Sequence, residues 1–173
     1  TALEDRAGAV TLIVLPARAG DRPEPTRAEL RAICDWLEPR RLITTELHIL
    51  GPRYLTVTGV SARVIMADGQ DLRVAGEALY QALIDRLHPV RGGPEGKGWP
   101  MGEDISHGDL YDTMLAVPGV RRVFGLSVTT APVAAGALDT GRSGAVPADI
   151  APVPPGMLPA LSRAAIDLVV SHG

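Results

Sequence analysis

Apolar residues run almost unbroken from position 9 to position 15, a pattern that predicts a strand buried on both faces. A polar connector occupies 18–25. Thr26, with Glu29 three residues on, spells a capping box, and Leu30, Ile33, Cys34 and Leu37 follow at helical spacing until Pro39 stops the helix. Residues 44–50 read as a strand broken by Gly51-Pro52. The longest β pattern covers 54–66. Leu55 and Val57 share one parity there, whereas Val60, Ala62, Val64 and Met66 hold the other. A bulge or bend at Gly59 reconciles the two phases, because glycine tolerates the kink. Asp68-Gly69 then turns the chain into a second helix with Leu72, Ala75, Leu79, Leu83 and Leu87 on one face.

After that helix the pattern changes. Residues 89–123 read PVRGGPEGKGWPMGEDISHGDLYDTMLAVPGVRRV, a glycine-proline loop that carries Trp99 toward a short helix capped by Ser106 and Asp109. Glycine permits positive φ and close backbone approach, and proline limits the freedom a loop must lose. Gly92, Gly93, Gly98, Trp99, Pro100 and Gly102 thus form the candidate structural or interface loop, with Trp99 favoured as an internal brace over a partner anchor. Residues 120–129 read as a strand, 131–155 as an extended arm rich in alanine, glycine and proline, and 164–170 as a closing strand.

The order of elements is β-α-β-β-α-β, which predicts an α+β, ferredoxin-like unit over 1–130 with a loop-helix insertion at 89–119. The arm and closing strand make up 131–173. Both long helices are expected on one face of a single sheet, with Leu12, Val14, Val60, Val64 and Leu126 in the core.

Composition narrows the function classes. Of 173 residues 46% are hydrophobic and 21% charged, with a net charge of -3, too little positive charge for a phosphate-tracking surface. The paired arginines at 40–41 and 121–122 read as solvated ends of elements. With two tryptophans, three tyrosines and one phenylalanine, no aromatic platform for base stacking is available. The lone Cys34 excludes an internal disulfide and fits a small buried hydrophobe. The leading apolar run is too short to span a membrane, and Glu4-Asp5 before it does not suit a signal peptide. No direct membrane insertion is expected, and the chain reads as cytoplasmic. The chain begins at Thr1 without an initiator methionine, the expectation for a piece of a longer polypeptide.

Candidate chemistry is sparse. The loop 92–98 contains glycines and Lys97, the only lysine. A phosphate-binding loop, however, needs glycine where Arg91 stands and a hydroxyl residue where Gly98 stands. Asp104, His107, Asp109 and Asp112 form the single cluster with acid-base or metal potential. Helix capping accounts for Ser106 and Asp109, and no second histidine lies near enough in sequence to complete a common ligand set. His48, His88 and His172 are isolated, and no G-x-S-x-G elbow is present. The residues therefore point to no catalytic residue, no metal and no cofactor. The alternative reading is an enzyme or small-ligand-binding protein that uses Asp104 and His107.

Three segments in order carry a family likeness: RRLITTELHILGPRYLTVTGVSARV at 40–64, GGPEGKGWPMG at 92–102, and PGVRRV at 118–123. With the helix ending in LHPV and the C-terminal PPGMLPALSRAAIDLVV, the chain resembles the baseplate J-like family. These are wedge components of contractile phage tails and related contractile injection systems. The resemblance covers about 9–129 and the closing strand. It implies a structural subunit, not an enzyme, whose partners are other wedge proteins, including a second J-like copy, within a phage tail-like particle. Family members are much longer, and their upstream region, expected to contribute to wedge bundling, has no counterpart here.

Overall fold

The computed structural model describes residues 8–132 and 149–173. Among these residues, eight strands and three α-helices follow one another as β1 (Ala9–Ile13), α1 (Arg27–Leu37), β2 (Glu46–Leu50), β3 (Arg53–Met66), α2 (Leu72–Arg86), β4 (Ile105–Ser106), α3 (His107–Leu115), β5 (Val120–Thr130), β6 (Ile150–Ala151), β7 (Met157–Leu161) and β8 (Ile166–His172). The class is α+β, as the periodicity predicts.

The helix starts form where local chemistry dictates. Thr26 accepts a hydrogen bond from the Glu29 N–H while the Glu29 carboxylate accepts from the Thr26 N–H, which completes the capping box of α1. Asp71 caps α2 by accepting from the N–H groups of Arg73 and Val74. Ser106 caps α3 through the Gly108 N–H, and Asp109 turns to Arg86 at 3.5 Å instead of closing a reciprocal box.

β3 organises the body. It pairs antiparallel with β5 on one side; on the other it pairs in parallel with β7 along its first half and β8 along its second. Its register with β5 shifts between Val57 and Gly59, at the place where the buried parity changes. Leu55 and Val57 before the shift, and Val60, Ala62, Val64 and Met66 after it, are all buried. Further shifts follow between Ser61 and Arg63 and between Ile65 and Met66. α2 and α3 cover this buried face with Leu79, Leu83, Leu87, Leu110 and Met114, while Arg63, Phe124 and Val169 look out from the other side. Each fully buried aliphatic side chain contributes roughly 1.5–3 kcal/mol before entropy is subtracted.

The strand arrangement differs from a single ferredoxin-like sheet. In that arrangement the first strand would lie parallel beside β3, but β7 and β8 occupy this flank. β1 pairs instead with β2 in a separate parallel ladder, and α1 packs against β2. The two long helices therefore serve different sheets. Val60, Val64 and Leu126 lie in the core as expected, but Leu12 is 38% exposed and Val14 only partly buried. The nearly unbroken apolar run of β1 does not make a strand covered on both faces, because a two-stranded ladder with one helix lacks the layers to cover it.

The C-terminal region contributes more strand than expected. Only β8 has a counterpart in the periodicity; β7, buried throughout, and the short β4–β6 ladder were hidden among prolines and glycines. The expected arm falls mostly on 133–148, outside the described residues.

Candidate functional site

The loop from α2 to α3 is fixed by its own backbone. α2 ends at Arg86 with Leu87 as its C-cap, and His88 follows with its Nδ1 accepting from the N–H groups of Val90 at 3.0 Å and Arg91 at 3.3 Å. The chain then folds back: the Gly92 N–H donates to the His88 carbonyl, the Gly93 N–H to the Arg86 carbonyl, and the Gly98 N–H to the Gly92 carbonyl. Space demands glycine here. A Cβ at Gly92 would lie 2.3 Å from the Arg86 oxygen, and one at Gly93, where φ is +77°, 2.3 Å from the Gly98 oxygen. No L side chain fits either place.

This fold-back delivers Trp99 inward. The indole is 4% exposed and belongs to the main core, and its Nε1–H donates to the Glu103 carbonyl at 2.9 Å. Beyond it, the Gly102 N–H donates to the Met157 carbonyl and brings the loop against β7. Among the loop residues singled out by sequence, Gly92, Gly93 and Trp99 are buried, Gly98 and Gly102 are partly buried, and Pro100 is exposed.

His88 joins this loop to the connector after β1. Burial lowers its pKa below the ordinary 6.5, nearby Arg91 lowers it further, and Asp85 and the Gly20 backbone oppose the shift. Its Nε2 lies beside Gly20 without a well-formed hydrogen bond. Because Nδ1 already accepts two N–H groups, the native imidazole is held neutral. In sequence His88 stands isolated; its place directly after a helix C-terminus and before proline is the one local signal of this role. Tyr54 anchors the same connector by donating to the Pro23 carbonyl, and burial pushes its phenol up to about 12.

The acid and histidine cluster does not converge. The Asp104 carboxylate accepts the Val153 N–H at 3.0 Å, Asp109 faces Arg86, and Asp112 is exposed on α3. The His107 N–H donates to the Asp149 carbonyl, where the chain returns toward β6. These groups hold segments together: among the described residues no three His, Cys, Asp or Glu side chains are placed to share a metal ion. Likewise, no helix among them is long and apolar enough to cross a membrane.

The conspicuous surface lies elsewhere, around β1, α1 and β2. α1 buries no residue fully, and Val10, Leu42 and Ile43 are 52%, 74% and 98% exposed. A shallow groove of about 280 Å³ between Val10, Leu37, Leu42 and Leu47 is rimmed by Arg40 and Arg41. Trp36 stands nearby on α1, 60% exposed, with the Arg40 guanidinium 4.2 Å from its ring centre. An apolar surface of this kind suits association better than catalysis. The sequence concealed it, since helical spacing in α1 gives no sign of how little stands opposite.

No protein-family model matches the chain, and no curated protein matches it. Among solved structures it is similar to a chain in the cryo-EM structure of the anti-feeding prophage baseplate, 6-fold symmetrised, with a TM-score of 0.55 and 17% identity. The fold is similar to that of a baseplate chain. The likeness covers 90% of this chain and 30% of that one, so this chain corresponds to less than a third of its neighbour's length.

Proposed function

We propose that this chain is a structural part of the baseplate of a contractile tail or injection system, and specifically a wedge subunit that assembles with other wedge proteins, including a second J-like copy. The fold likeness to an anti-feeding prophage baseplate chain over 90% of the residues carries the reading. The ordered J-like motifs support it independently. So does the use of the charged groups: Asp104, Asp109 and His88 hold backbone or ion-pair partners of the fold and do not converge on a cleft. In this reading the Trp99 loop is a rigid support, the exposed apolar surface around β1 and α1 meets neighbours, and the protein is not an enzyme. Assembly takes place in the cytoplasm, into a phage tail-like particle.

Affinity capture of the native, full-length gene product with mass spectrometry of its companions tests this. Tail-sheath, tube and wedge proteins are expected in stoichiometric yield. Capture that reproducibly brings down no component of a tail-like particle refutes the assignment.

A further inference from the structure

The outer edge of β1 is open and undefended. The Glu46 N–H donates to the Gly8 carbonyl at 2.7 Å and the Val14 N–H to the Leu50 carbonyl at 2.8 Å, which sets the phase of the parallel ladder. Gly8, Val10, Leu12 and Val14 thus direct their backbone groups to β2, while Ala9, Thr11 and Ile13 direct theirs away from it. Those outward N–H and C=O groups have no partner among the described residues. Two other edges, those of β5 and β2, are blunted. β5 carries Arg121 and Arg122 and is bent at Gly125, where φ is +59° and its register with β3 skips. On the outer side of β2, Arg41 Nη1 donates to the Thr45 carbonyl at 2.9 Å. β1 has no charge, no proline and no bulge, the devices that usually prevent edge pairing.

We infer that β1 pairs antiparallel with β1 of a second copy of this chain, about a two-fold axis through Thr11. Its own sequence fits that register. Thr11 faces Thr11, small Ala9 faces large Ile13, and Val10 faces Leu12, so no like charges meet across the axis. The hydrogen-bonded positions of the new ladder are Ala9, Thr11 and Ile13, the same residues whose backbone groups are open. The result is a four-stranded sheet in the order β2-β1-β1-β2, with both α1 helices on one face and the half-exposed Val10 and Leu12 of each copy in contact with the other's. The two strands alone make a small interface, so the isolated chain forms a weak dimer, with a Kd on the order of 10–100 µM. The inference rests on the assembly reading only in taking a second copy as the partner.

Sedimentation equilibrium of the purified chain, up to about 500 µM, measures the dimer. Thr11→Pro removes only an outward N–H and leaves the β1–β2 ladder intact, so it should weaken association at least about tenfold with an unchanged circular dichroism spectrum and melting curve. Thr11→Cys, made in a Cys34→Ser background, should form an intermolecular disulfide on mild oxidation. Hydrogen-bonded antiparallel pairs bring Cα atoms to about 5.5 Å, within disulfide range. A chain that stays monomeric and does not cross-link at Thr11→Cys overturns the proposal, as does a dimer that Thr11→Pro leaves at full strength. If the chain stays monomeric yet still captures wedge proteins, edge pairing falls and the assembly role stands. If it dimerises through β1 but never enters a particle, the assembly role falls instead.

Discussion

Replacing Trp99 by alanine should be among the most damaging single changes in this chain. The ring is 4% exposed within the main core, and its Nε1–H donates to the Glu103 carbonyl at 2.9 Å. Burying a tryptophan removes about 150–250 Å² from water, which at about 25 cal/mol per Å² gives an upper bound of roughly 4–6 kcal/mol. Loss of the hydrogen bond adds little, since Glu103 is exposed and water can reach its carbonyl. Partial collapse of the cavity brings the expected cost to roughly 3–5 kcal/mol. For a chain of this size that corresponds to a fall of roughly 6–20 °C in melting temperature. Urea unfolding followed by fluorescence in a Trp36→Phe background isolates the Trp99 signal, because Trp36 is largely exposed and would otherwise mask it. The parent protein should emit from a buried indole that reddens at the unfolding midpoint. In the mutant, circular dichroism should show a lower midpoint with the slope unchanged. If Trp99→Ala melts like the parent yet fails to capture its partners, the stabilising role is wrong and Trp99 is an interface hot spot.

The glycines of the same loop should separate sharply: Gly92→Ala, whose Cβ would meet the Arg86 oxygen, should cost upwards of about 3 kcal/mol or prevent folding. Gly96→Ala, at φ +68° with open space around it, should cost about 1–2 kcal/mol, and equal melting of the two would refute the packing argument. Because the His88 pKa is lowered in the native state, the unfolded chain binds the extra proton first. Stability is therefore complete above the unfolded value near 6.5 and is lost as pH falls from there toward the lower native value. Urea midpoints at pH 7.5 and 5.5 should differ in the parent and converge in His88→Asn, which keeps an acceptor without titrating; an identical pH dependence in both proteins contradicts this. Leu79→Ala should cost about 2–5 kcal/mol, whereas Leu12→Ala, at 38% exposure, should cost under about 1 kcal/mol in the dilute chain; chemical denaturation that ranks them the other way would show β1 in the core after all.

What the sequence determined by itself was local. The Thr26–Glu29 box and the Ser106 cap join residues within one helical turn, so residue type and spacing suffice to place them. The parity change across Gly59 was equally legible, because side-chain alternation is a property of the strand alone. The glycines and prolines around Trp99 announced a loop of one shape, though not the direction of the indole. Tertiary structure decided what depends on partners distant in the chain. Arg53 pairs with Met157 and Val60 with Ile166, and no local pattern in a proline- and glycine-rich tail encodes which flank of β3 it will take. Once that flank was filled, β1 could not be a central strand, although its apolar run is what a central strand would have. The same hydrophobicity stabilises a buried strand or an open edge awaiting a neighbour, since burial free energy depends on what stands opposite and not on the residue itself.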